Sequence, residues 1–190
     1  MTGPSANFVG VEAVTGWAYG PGMATWTEFA AEAPEIAELG EKRLAATGLM
    51  MLATLRKDGF PRISPAEPVL AKDRLVLHDD RLWLGMMPDS TKSNDLKRDG
   101  RFALHTATAD KMVSEGDVKF WGVATQVTDH DTLVRFADAI FESVGYRFEV
   151  GTFDAFDLDL LGASSVKVDS DTLYVSIWTP GNGVRVVEKK

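Results

Sequence analysis

A mainly β fold with peripheral helices, built as a small β-barrel, is what this 190-residue sequence predicts, and three observations carry the prediction. Six or more short strand-like segments follow one another at close spacing. Only short helical segments separate them, which argues against a doubly wound parallel sheet. Two of the strand segments, 49–56 and 118–128, are apolar on both alternating faces, so each needs cover on both sides. A small barrel dries only its inner face, so helices or a partner chain must cover the outer one, and a homodimer is expected.

The elements follow in order. Residues 1–24 combine Gly3, Pro4, Gly10, Gly16, Gly20, Pro21 and Gly22 without periodicity, so they read as an irregular N-terminal arm that Trp17 and Tyr19 could dock, with the barrel domain over 25–190. Thr25 and Glu28 have capping-box spacing, and Pro34 suits a first helical turn, which predicts helices over 26–32 and 35–46 ended by Gly48. LMMLATLR then reads as a strand, and Lys57-Asp58-Gly59 as a hairpin turn. The return segment FPRISPAEP carries Pro61, Pro65 and Pro68, so it reads as an edge or bulged strand whose free backbone groups could serve a ligand.

Strands are expected over 75–78 and 82–87, then a helix TKSNDLKRD opened by Ser90 and closed by Gly100, then strands RFALHTAT and VKFWGVATQVT. Gly122 inside the last of these marks a bulge or the close approach of another body. Leu133, Phe136, Ala137, Ile140, Phe141 and Val144 form a helical stripe that reads as core. Strands near 164–168, 172–178 and 184–187 finish the chain.

Composition excludes several function classes. With 45% hydrophobic and 25% charged residues the chain is one compact domain. Twenty Lys and Arg against 28 Asp and Glu leave a net charge of −8, so nucleic acid and anionic membranes are not expected as partners. The absence of cysteine removes disulfides, thiolate metal sites, iron–sulfur ligation and a cysteine nucleophile together. No Lys or Arg precedes Lys42, so a basic leader is missing and a cytoplasmic protein is expected. His78, His105 and His130 are scattered, which speaks against a metal site, and no Ser stands in a G-x-S-x-G elbow. GPGMAT at 20–25 follows no strand and reads as a turn rather than a dinucleotide fingerprint.

The most informative segment is MMPDSTKSNDLKRDGR, residues 86–101. Ser90, Thr91 and Lys92 fall at a helix N-terminus, where free N–H groups, the positive dipole end, two hydroxyls and an ammonium suit an anion such as phosphate. The plain alternative is that Ser90 only caps the helix and Lys92 is solvated.

These segments together, LMMLATLRKDGFPRISPAEPV, LWLGMMPDSTKSNDLKRDGRFALHT and VKFWGVATQV, resemble the pyridoxamine 5'-phosphate oxidase-like superfamily of flavin-binding split barrels, over about residues 35–128. The resemblance implies a six-stranded split barrel of the FMN-binding type. It implies that Ser90, Thr91 and Lys92 hold the phosphate of FMN, and that Met86 and Met87 line its ring or ribityl region. Gly59, Pro61 and Ser64 are similar to the strand beneath the flavin, making Arg62 and Ser64 candidate cofactor contacts. Arg62 alternatively guards a strand edge, and Trp121 either stacks at the cofactor edge across a dimer or fills the interface. His105 reads as structural or interfacial, and Trp178 and Arg185 resemble residues that some relatives place near flavin.

Where the oxidase itself carries Arg-x-x-x-Leu-Lys, this chain reads RISPAEP, and where the oxidase ends Arg-Leu-Ala-Pro, it ends VRVVEKK. The resemblance therefore lies nearer to flavin or deazaflavin reductases. It implies an oxidoreductase acting on a small molecule, with FMN or a deazaflavin coenzyme at the interface of a homodimer and no protein acid or base required. A non-enzymatic module that sequesters a cofactor, haem or a metabolite is the alternative.

Overall fold

The computed structural model describes residues 22–71 and 80–190. The expected arm over 1–21, with Trp17 and Tyr19, and the expected strand over 75–78, with His78, lie outside the described residues. The capping box at Thr25 forms as expected, with Thr25 N donating to Glu28 Oε2 at 2.8 Å and Glu28 N to Thr25 Oγ1 at 3.3 Å. It opens α1 (Trp26–Glu32), and α2 (Pro34–Thr47) starts on Pro34 and stops at Gly48.

The strands are β1 (Met50–Leu55), β2 (Pro61–Ala66), β3 (Pro68–Ala71), β4 (Arg81–Met86), β5 (Arg101–Thr106), β6 (Asp117–Val127), β7 (Asp154–Asp169), β8 (Thr172–Thr179) and β9 (Gly183–Lys189). Helices α3 (Thr91–Arg98) and α4 (His130–Val144) lie between β4 and β5 and between β6 and β7. All ladders between named strands are antiparallel, in the order β2-β1-β5-β6-β7-β4-β3, with β8 added to β7 and β9 to β8. The sheet curls without closing, as a split barrel. The strands at the two ends of the order β2-β1-β5-β6-β7-β4-β3 are separated in the chain by Glu67 alone. Edge placement of β2 matches Pro61 and Pro65, and Pro68 opens β3 at the other border; the ladder of β2 with β1 runs in unbroken register, without the bulge considered as an alternative.

The described sheet has nine strands rather than six. β3 is a separate edge strand, β8 and β9 extend the sheet, and β7 begins at Asp154, well before the expected 164. Phe156, Leu158 and Leu160 of this early half are fully buried, while Asp157 and Asp159 alternate with them and meet Arg81 at 2.8 and 3.7 Å. Ala24 also pairs with Leu160, through bonds of 2.9 and 2.8 Å, so the end of GPGMAT is a β-bridge and not only a turn.

The main core fills the barrel and the space under α1 and α2. Trp26, Phe29 and Phe120 meet edge to face at centroid distances of 5.2, 5.4 and 5.7 Å, and Phe29 packs on Trp178 at 4.8 Å. A smaller cluster of Trp83, Phe136 and Ala155 sits where α4 covers the outer side of β4 and β7. Phe136 and Ala137 face this cover, but Phe141 stays 51% exposed, a correction to the expected stripe: the helix rests on one corner of the barrel, too narrow for all its apolar side. Among the described residues no helix is long and apolar enough to cross a membrane.

Gly122 is both a bulge and a close approach. The β6–β7 register shifts between Trp121 and Gly122, and a Cβ at Gly122 would stand 1.9 Å from the Asp159 carbonyl oxygen. Backbone cannot yield as a flexible side chain does, so Gly122→Ala should destabilise the fold by at least about 2 kcal/mol. Denaturant unfolding checks this, and an unchanged midpoint would show that the two strands can separate there freely.

Candidate functional site

Helix α3 is an unusual element to pack on a barrel, because Leu96 is its one large apolar side chain in TKSNDLKR. Hydrophobic burial alone cannot hold such a helix, and polar contacts fix it on three sides. Ser90 is its N-cap, with Oγ accepting from Ser93 N at 3.3 Å.

Toward β1 and β2, the buried Asp95 carboxylate accepts from Arg62 Nε at 2.6 Å, Thr54 Oγ1 at 3.0 Å and Arg98 Nη2 at 3.1 Å, while Arg98 also donates to the Leu55 carbonyl. Toward β7, Asp154 Oδ2 accepts from Ser93 Oγ at 2.5 Å and from Lys97 Nζ at 2.8 Å. At the N-terminal end, Lys92 Nζ donates to the Pro65 carbonyl of β2 at 2.9 Å. The free backbone group expected of the proline-rich edge exists, and within the chain Lys92 takes it.

An open groove of about 560 Å³ runs along this junction, lined by Arg56, Lys57, Asp58, Arg62, Thr91, Asn94 and Asp95. Three cations face two carboxylates there, a local reversal of the chain's net charge of −8.

The fold brings Arg62, Ser64, Ser90, Thr91 and Lys92 to one side of the molecule. Arg62 and Ser64 share a face of β2, and both are half-buried. Thr91 is exposed at the groove, Met87 is 77% exposed beyond the end of β4, and Met86 is packed into the main core. Trp121 does not join them. It lies on the outer face of β6 with its ring flush against Gly162, where a Cβ would stand 2.3 Å from Cζ2. In register across the sheet, Ile63, Ala53, Ala103 and Trp121 form one outer row. His105 lies in the next row beside Met51, its Nδ1 at 2.6 Å from the Thr106 carbonyl. Trp178 is buried, with Nε1 donating to Glu32 Oε2 at 2.9 Å, and Arg185 faces Ile177 on the outer hairpin.

Sequence reasoning missed Asp95, Asp154 and Arg98. Asp95 and Arg98 stand inside the informative segment, but the residues that engage them are distant in the chain. Burial would raise both carboxyl groups, yet hydrogen bonds outweigh it and hold each below the ordinary carboxylate range: Arg62, Arg98 and Thr54 at Asp95, Lys97 and Ser93 at Asp154. Asp154 in turn raises Lys97.

A carboxylate with a depressed folded pKa contributes stability that is complete above its unfolded value, about 3.9, and is lost as pH falls through the lower folded value. The protein should therefore lose stability on acidification below about pH 4. Asp95→Asn should cost about 1–3 kcal/mol at pH 7 by leaving Arg62 and Arg98 short of an acceptor, and should flatten this acid slope. Urea unfolding at pH 7, 5 and 3.5 tests both, and an equally steep slope in the variant would show that Asp95 is not its source.

The sequence model of the family described as pyridoxamine 5'-phosphate oxidase matches residues 36–167. Among curated proteins no match was found. Solved structures share the fold. One is a pyridoxamine 5'-phosphate oxidase-related, FMN binding protein from Nostoc punctiforme, with 12% identity, 86% of this chain and 99% of that one covered, and a TM-score of 0.62. PhzG from Burkholderia lata, solved with tetrahydrophenazine-1-carboxylic acid, has 14% identity, coverage of 85% and 96%, and a TM-score of 0.54. A heme binding protein from Mycobacterium smegmatis has 21% identity, coverage of 77% and 58%, and a TM-score of 0.57. With well over half of its length matched by the family and its split barrel shared with these structures, this chain belongs to the pyridoxamine 5'-phosphate oxidase family.

Proposed function

We propose that the chain is an FMN-binding oxidoreductase that works as a homodimer, with the cofactor at the dimer interface. One observation carries this reading: the first turn of α3, with Ser90, Thr91 and Lys92, is fixed beside the open edge of β2 and borders a cationic groove. The donor set fits a phosphate monoester, which carries about −1.5 to −2 charge at neutral pH. The α3 N-terminus, the exposed Thr91 hydroxyl and the Lys92 ammonium would hold it, with Ser64 and Met87 along the ribityl chain and ring. Arg62, whose Nε is engaged by Asp95, acts chiefly by fixing α3. Bound flavin supplies hydride or electron transfer to a small molecule, and the protein supplies anchoring, orientation and access. A deazaflavin coenzyme is the alternative cofactor.

The outer row Ile63, Ala53, Ala103 and Trp121 supports the dimer. Ile63 is 68% exposed and Met51, in the next row, 40%, on a face that small residues leave flat enough for a second copy to approach. Trp121 then belongs to the interface and reaches cofactor held by the partner.

The similarity to a structure described as a heme binding protein favours one second reading, a non-enzymatic haem-binding module.

Four measurements decide. FMN fluorescence should be quenched on titration with protein, and Lys92→Ala should weaken binding ten- to a hundredfold, the loss of one charge-assisted contact worth about 1.5–3 kcal/mol. Reduced nicotinamide should then be consumed in the presence of an acceptor. Haem binding without affinity for FMN or deazaflavin would replace this function with the second. In sedimentation the parent should be a dimer and Ala103→Glu a monomer with weaker FMN binding; a concentration-independent parent monomer would remove the interface.

A further inference from the structure

Asp154 lies outside the informative segment and on the other side of α3 from the groove, yet it gathers the donors that shape the turn before that helix. The carboxylate opens β7 opposite Met86, the last residue of β4, and its side chain is 12% exposed. Its Oδ2 accepts from Ser93 Oγ at 2.5 Å, Lys97 Nζ at 2.8 Å and Asp89 N at 3.3 Å, and Gln126 Nε2 approaches Oδ1 at 3.5 Å. One acceptor thus grips the turn, the first helical turn and the second.

The turn needs such a grip. Asp89 sits at φ +56°, in the left-handed region that L side chains adopt at a cost of about 1–2 kcal/mol. Two further contacts close on it: Asn94 Nδ2 donates to the Asp89 carbonyl at 3.0 Å, and Lys97 Nζ stands 3.7 Å from Asp89 Oδ1. With Asp89 turned this way, Ser90 takes the extended backbone of an N-cap, φ −59° and ψ 154°, and the chain enters the helix at Thr91. Were Asp89 to relax to an ordinary conformation, the direction of Ser90 and of the first-turn N–H groups would change with it.

We infer that Asp154 is a positioning residue for anion binding: it touches no ligand, and by holding Asp89, Ser93 and Lys97 it aims the α3 N-terminus at the cofactor phosphate. This rests on the flavin reading above. The role is specific to the phosphate end, so it separates from plain stabilisation by comparing FMN with riboflavin, which lacks the phosphate.

The test uses the full chain and fluorescence titration with both flavins. Asp154→Asn keeps size and burial but offers weaker acceptance and donates where Asp89 N and Lys97 already donate. FMN should bind at least tenfold more weakly, with riboflavin affinity unchanged. Ser93→Ala, which removes one donor and leaves the carboxylate, should give a smaller loss in the same direction and serves if Asp154→Asn does not fold. Equal weakening toward both flavins, or an intact preference for FMN, would overturn the role of Asp154 while leaving the flavin site standing. A parent protein that binds neither flavin would overturn the reading beneath it.

Discussion

A helix with almost no apolar side chains has to be held on the barrel by charge, and the candidate site depends on that constraint. TKSNDLKR buries Leu96, Ser93 and Asp95, and the last two are polar. An unpaired carboxylate in that position would be expelled or protonated, so its burial requires donors from several strands at once. Asp95 ties α3 to β1 and β2, and Asp154 ties it to the start of β7. These strands belong to the two halves of the sheet, so a polar helix becomes a brace between them. Its N-terminus, rather than its apolar side, is left to the solvent.

Much of the fold is legible in the sequence because it rests on local chemistry. The Thr25 capping box, Pro34 at a first turn, the Lys57–Gly59 hairpin and the Ser90 cap each depend on residues within a few positions of one another. Gly122 is legible for a related reason: glycine inside an apolar strand needs an explanation, and the β6–β7 contact supplies it.

What escapes is set by distance. Three aspartates in the first half of β7 look like loop residues until Arg81 and Lys97 arrive to pair with them. The bonds from Arg62 to Asp95 and from Ser93 to Asp154 join residues 33 and 61 positions apart, with no spacing to betray them. The expected candidate residues divide by the same rule. Ser90, Thr91 and Lys92 are consecutive, and the β1–β2 hairpin brings Arg62 and Ser64 beside them, whereas Trp121 lies across the sheet on its outer face.

The junction at Glu67 has a different consequence. Residues 61–66 and 68–71 occupy opposite ends of one sheet, so a single residue carries the chain from one border to the other. In an ordinary surface loop, added residues cost little, because closure entropy grows slowly with length. Here added residues would lengthen the covalent seam of the barrel and let its two borders drift apart, moving Pro65 and the Lys92 that grasps it. The side chain at 67, which is exposed, is free to vary, while the number of residues there is not.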